Sequence, residues 1–211
     1  MSENDKPVAL AFTGASGAAY GLRLLECLLA AGKKVYLLYS QAAQIVFKME
    51  AGIDLPASAS ECQALLTEKY AVQDGQLQVF GRQQWMSPVA SGSNPPEAMV
   101  VCPCTTGTLA SIAAGLSQDL IDRAADVVIK EKRKLILVIR ETPFSTIHLE
   151  NMLKLSRAGV VIMPANPGFY ENPDSLEEVV DFMVARILDH LGVSHSLISR
   201  WGDDVSKDSA Q

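Results

Sequence analysis

The stretch Val8-Ala-Leu-Ala-Phe12, then Thr13-Gly-Ala-Ser-Gly17, then Ala18-Ala-Tyr-Gly-Leu-Arg-Leu-Leu-Glu-Cys-Leu-Leu-Ala30, decides the fold. Five unbroken apolar residues predict a strand covered on both faces, because a half-exposed strand would alternate polar and apolar. A turn bracketed by glycines follows, and then apolar residues at helical spacing. Working outward, further β-rich apolar runs stand at Val35–Tyr39, Ala98–Cys102, Leu135–Ile139 and Val160–Met163. Helical periodicity fills the intervals, over roughly 17–31, 41–51, 61–70, 106–115, 119–133, 146–158 and 174–191. The last opens with Asp174 three residues before Glu177, the pattern of a capping box. Strands alternating with helices require crossover connections and predict a doubly wound parallel sheet in one α/β domain. That domain is expected over 8–202, with 1–7 a disordered N-terminus and 203–211 a flexible C-terminal tail. Residues 71–97 are polar, hold Trp85, and are long for a connection, so they read as an excursion with a job.

Composition removes several function classes. The 211 residues are 48% hydrophobic and 20% charged, and 18 basic against 24 acidic side chains leave a net charge of −6. A nucleic-acid binder would show a basic excess. Apolar runs such as Val8–Phe12 fall far short of the ~20 residues of a membrane span. The first seven residues are polar and acidic, unlike a secretory or transit peptide, so a cytoplasmic protein is expected. Cys27, Cys62, Cys102 and Cys104 match neither zinc nor redox spacing, and His148, His190 and His195 do not cluster with carboxylates. Free thiols near a core, and no metal, are the expectation.

Chemistry is expected at the carboxyl ends of the strands, where ligands bind in open α/β sheets. Thr13-Gly-Ala-Ser-Gly17 lets a backbone approach a ligand closely, with the following helix N-terminus offering amides to a phosphate; the bland reading is a tight βα turn. The dinucleotide fingerprint is absent, because position 16 is Ser, and the second strand ends in Ser40 where such enzymes place an acid. A mononucleotide fits better. Cys102-Pro-Cys-Thr-Thr-Gly-Thr108 supplies three hydroxyls and a glycine, or else ordinary helix capping. Arg140-Glu141 puts a charge pair at the mouth of the sheet, and Pro164-Ala-Asn-Pro-Gly-Phe-Tyr170 delivers a tyrosine. Arg123, Lys130 and Arg186 are each readable as surface cations. Taken together they suggest a metal-free anion site. Asp203-Asp-x-x-x-Asp208 superficially matches a magnesium-chelating motif, but its spacing is wrong and it reads as solvated tail.

These segments, with Ser91-Gly-Ser93, Arg123 through Arg133, His148-Leu-Glu-Asn-Met152 and Arg200-Trp201, resemble the UbiX-type flavin prenyltransferases over about residues 8–202. Flavin-dependent cysteine decarboxylases are more distant kin. The resemblance implies a flavodoxin-like, Rossmann-like fold and a homododecamer with flavin between subunits. It implies transfer of the dimethylallyl group of dimethylallyl monophosphate to N5 and C6 of reduced FMN, without metal. The prenylated FMN would pass to a UbiD-type decarboxylase in ubiquinone synthesis. By position, it makes Gly14, Ala15, Ser16, Ser40, Thr105, Thr106, Gly107, Thr108 and Arg140 the FMN contacts. Tyr170 and Arg186 become dimethylallyl phosphate contacts, with Lys130 and Glu141 holding the phosphate and Arg123 and Glu50 as further contacts to it. Trp85 and Trp201 become aromatic walls of the prenyl pocket.

The residue chemistry agrees with that assignment. Breaking an allylic C–O bond puts positive charge on carbon and negative charge on phosphate, which cations and an acid must take up. Lys130 and Arg186 supply charge, Tyr170 a hydrogen bond, Glu141 a proton, and an aromatic face steadies the carbocation. Two alternatives share the flavin loops: a flavin-dependent decarboxylase of a cysteinyl substrate and a non-catalytic FMN carrier. The first needs its own catalytic histidine and substrate clamp, in place of which this chain has Arg140-Glu141 and the segment ending in Tyr170.

Overall fold

The computed structural model describes residues 6–170 and 172–199. Trp201, Arg200 and the Asp203–Asp208 stretch lie outside them, as does most of the expected terminal segments. Pro7, expected in a loose N-terminus, is buried, and its carbonyl accepts the Glu97 N–H at 2.9 Å.

Six strands, β1 (Val8–Phe12), β2 (Val35–Tyr39), β3 (Leu77–Val79), β4 (Ala98–Cys104), β5 (Lys134–Ile139) and β6 (Val161–Pro164), form one sheet in the order β3-β2-β1-β4-β5-β6. All five pairings are parallel, and β1 runs in register with β2 from Val8↔Val35 to Phe12↔Tyr39. The sheet therefore has its switch in strand order between β1 and β4, which sets the two central loops side by side. β3 was not expected from the sequence. It is three residues long at the edge of the sheet, with Gln78 exposed between buried Leu77 and Val79. Without it the order is that of a flavodoxin; with it, that of a dinucleotide-binding sheet. β4 also runs two residues past the expected Cys102, across Pro103, whose peptide bond with Cys102 is cis.

Helices cover both faces. α1 (Ala18–Ala30), α2 (Gln41–Ala51), α3 (Ala59–Tyr70) and α7 (Leu176–Leu191) share a core with Leu10 and Phe12 of β1. α4 (Thr106–Ala113), α5 (Leu120–Lys130) and α6 (Thr146–Arg157) pack on the other face against Ala9 and Ala11. Both sets of β1 side chains are buried, which is why the run is continuous rather than alternating. Ser or Thr hydroxyls cap most helices: Ser40 accepts Ala43 N–H at 3.1 Å, and Ser145 exchanges a full capping box with His148. At α7 the cap sits one residue later than expected. Ser175 accepts Glu178 N–H, while the Glu178 carboxylate reaches back to the Asp174 N–H at 2.8 Å.

Candidate active site at the carboxyl edge of the sheet

Four loops meet above β1, β4 and β5. Thr13 is the pin between the two central ones. It is 1% exposed, its hydroxyl donates to the Pro103 carbonyl at 2.7 Å, and it accepts the Thr105 N–H at 2.9 Å. From the neighbouring strand, Arg140 donates through Nε to the Ser16 carbonyl at 3.2 Å. Gly14 lets α2 close on the first loop, since a methyl there would stand 2.4 Å from the Ala42 side chain.

That closure brings Glu50, at the end of α2, onto the start of α1. Its Oε2 accepts the N–H groups of Gly17 at 2.8 Å and Ala18 at 2.9 Å. Gly17 takes φ 114° to present its amide, a conformation costly for other residues. Desolvation pushes the Glu50 carboxyl up, but hydrogen bonds from Ser16 Oγ and the two amides, with Arg140 nearby, outweigh it and hold the group below the usual carboxylate range. The two amides expected to serve a phosphate are thus occupied by a fixed, ionised carboxylate. Anion binding falls to the remaining donors: the Gly14-Ala15-Ser16 backbone, Arg140, and the first turn of α4. There Thr105 caps the helix by accepting Thr108 N–H at 3.0 Å and donates to Thr108 Oγ1 at 2.9 Å. A methyl at exposed Gly107 would meet nothing nearer than Thr105 Oγ1 at 3.8 Å, so the space over this turn is open. Hydroxyls, amides and one guanidinium suit a phosphate-bearing flavin. The thiols beneath do not enter the chemistry, because Cys102 and Cys104 are fully buried and burial pushes both well above the ordinary thiol range.

The flavoprotein family model matches residues 1–188. The flavin prenyltransferase UbiX of Pseudomonas aeruginosa is 56% identical over 93% of this chain and 94% of its own length. The chain belongs to the UbiX-type flavin prenyltransferases. Among solved structures, AnUbiX (PadA1) in complex with FMN and dimethylallyl pyrophosphate superposes with a TM-score of 0.82 at 38% identity, covering 93% of this chain and 97% of that one. A dodecameric FMN-dependent UbiX-like decarboxylase from Escherichia coli O157:H7 gives 0.80 at 40% identity, covering 92% and 98%.

In this flavin prenyltransferase the remaining candidate residues fall into separate groups. Glu141 follows Arg140, and its Oε1 accepts the Thr142 N–H at 3.0 Å. Tyr170 packs edge-to-face on Phe182, with ring centroids 5.8 Å apart and planes at 82°. Phe182 and Arg186 are one turn apart on α7, so the contact brings Tyr170 to the face that carries Arg186. Arg186 itself is exposed and paired with Asp189 at 2.8 Å. Lys130 and Arg123 lie on α5, across the sheet from α7. Lys130 ends that helix and pairs with Glu131 at 2.5 Å. It precedes Lys134, where β5 begins, and Arg140 follows the other end of the same strand, roughly 20 Å away at ~3.3 Å per residue. Arg123 donates to the Ala90 carbonyl at 3.0 Å and pairs with Asp126 at 2.8 Å. Trp85 sits in the loop tied to the start of α5 by Leu120 N–H to Arg82 O at 2.9 Å. One chain therefore sets Lys130, Arg123 and Trp85 on the α5 side of the sheet and Glu50, Tyr170 and Arg186 on the α7 side, with Glu141 at the strand end between them. Thr13, singled out only as part of a motif, is the structural centre that sequence reading missed; its signal was a polar residue directly after a fully apolar strand.

Proposed function

We propose that the chain joins the dimethylallyl group of dimethylallyl monophosphate to N5 and C6 of reduced FMN, releasing phosphate and requiring no metal. The observation that carries this reading is the ionised Glu50 fixed beside Arg140 at an otherwise donor-lined flavin cradle. The overall change removes one proton from flavin N5 and one from C6, adds one to the dimethylallyl C2, and leaves one with phosphate. The site must therefore hold both a base and an acid. Glu50, kept ionised, is available as the proton acceptor, a weak base because the same bonds favour its charged form, and is poorly suited to bind phosphate directly. Glu141 serves as the acid toward the leaving phosphate, while Tyr170, Arg186 and Lys130 receive its charge. Gly14, Ala15, Ser16, Ser40, Thr105 to Thr108 and Arg140 hold FMN. Trp85 faces the allylic cation; Trp201, expected to share that role, lies outside the described residues.

Because Lys130, Arg123 and Trp85 stand across the sheet from Glu50, Tyr170 and Arg186, a neighbouring copy supplies them, in a homododecamer with flavin between subunits. The dodecameric state of the E. coli relative supports this. Prenylated FMN then passes to a UbiD-type decarboxylase, in ubiquinone synthesis and in the cytoplasm. The test is anaerobic incubation with reduced FMN and either dimethylallyl monophosphate or diphosphate, with EDTA present, followed by mass analysis of the extracted flavin. Flavin heavier by one C5H8 unit, with phosphate released, is the expected result. Unmodified flavin with both donors would leave the FMN-carrier reading.

A further inference from the structure

We propose that Gly168 and Phe182 are positioning residues that seat Tyr170 against α7 for its contact with the prenyl phosphate; this rests on the assignment of Tyr170 above. Tyr170 is 58% exposed and stands in the loop between β6 and α7. Phe182 gives the tyrosine ring a support on α7. Its ring is half-buried against the α1–α7 core and meets Tyr170 edge-to-face, the geometry that aromatic quadrupoles favour.

Gly168 occupies the notch between the two rings. Its backbone is not in the left-handed region, so its flexibility is not the reason for a glycine here. Space is the reason. A methyl at position 168 would stand 2.8 Å from Tyr170 Cε1, 2.9 Å from Phe182 Cζ and 3.1 Å from Phe182 Cε2. Those atoms are the outer edges of side chains, so alanine would push the rings apart and leave the fold intact. The loop backbone, the Tyr170 ring and the Phe182 ring thus form a stack of three, one helical turn from Arg186. The seat holds the Tyr170 ring on the face of α7 that carries that guanidinium.

The test uses the full-length protein with 3-fluorotyrosine placed at position 170. Its 19F resonance should carry a ring-current shift that is lost in Phe182→Ala, which removes the ring, and in Gly168→Ala, which displaces it, while Phe182→Tyr, which keeps the ring, should retain it. In the same variants, KM for dimethylallyl monophosphate should rise roughly tenfold, the order expected when one binding group is misplaced, while FMN affinity stays within about twofold. Phe182→Tyr should restore KM. A Tyr170 resonance indifferent to both substitutions, or a lost shift with KM unchanged, would overturn the proposal. If instead Tyr170→Ala leaves prenylation intact, the assignment of Tyr170 fails, and the fluorine shift still reports separately whether the seat exists.

Discussion

The carboxyl edge and the α5 flank of this molecule differ in how far their charges reach. At the edge, bonds run between elements distant in sequence: Thr13 to Pro103 and Thr105, Arg140 to Ser16, Glu50 to Gly17 and Ala18. On α5 the charge partners are local, Lys130 with Glu131 and Arg123 with Asp126, and Arg123 alone also reaches out of its helix, to the Ala90 carbonyl 33 residues away. A network that crosses elements is rigid and finished within the chain. Local ion pairs at the surface stabilise little, and their partners are easily exchanged. On the function proposed above, the difference would mean that the flavin half of the site is built by folding and that the cations of α5 are left for assembly.

The sharpest way to break this comparison is subunit mixing. Lys130→Ala should keep flavin yet lose prenylation by about 100-fold, the scale of removing one transition-state charge partner. Co-assembled with Glu50→Gln subunits, it should recover about a quarter of wild-type activity, because random pairing of two half-sites leaves that share intact. No recovery would mean that Lys130 serves its own chain. Thr13→Val tests the rigid half. It takes one of two donors from the Pro103 carbonyl, which keeps the backbone N–H of residue 13, and leaves the Thr105 N–H without its partner, so it should cost roughly 1–3 kcal/mol in denaturant unfolding, with weaker FMN binding, while Thr13→Ser stays near wild type.

Acid titration sharpens the same half. Glu50 is lowered in the folded chain, so its stabilisation is present above the ordinary carboxyl value of 4.5 and is lost as pH falls through the folded value. Melting temperature should fall below that range more steeply in wild type than in Glu50→Gln. The smallest effect lies outside both regions: Ser145→Ala removes the α6 cap and should cost about 0.5–1 kcal/mol without changing flavin binding.

Much of the fold was legible because parallel strands buried on both faces write themselves as continuous apolar runs. β3 was not, since three edge residues with a polar centre carry no such signal. β4 was cut short because proline normally ends a strand, whereas here the chain continues through Pro103 to Cys104. In the site, the loops were legible from their glycines and hydroxyls. The role of Glu50 was not, because a carboxylate 33 residues from the amide it accepts leaves no local pattern. Nor does spacing reveal that α5 and α7 lie on opposite faces, which is what divides the cations.

Cys102 and Cys104 flank the strand end that delivers the flavin loop, yet burial keeps both as neutral thiols. A thiolate, and not a neutral thiol, adds to an oxidised isoalloxazine or gives it a sulfur-to-flavin charge-transfer band. On air oxidation at neutral pH, no such band should therefore arise from these two residues. Their sulfurs then contribute nothing to the visible spectrum of the bound flavin.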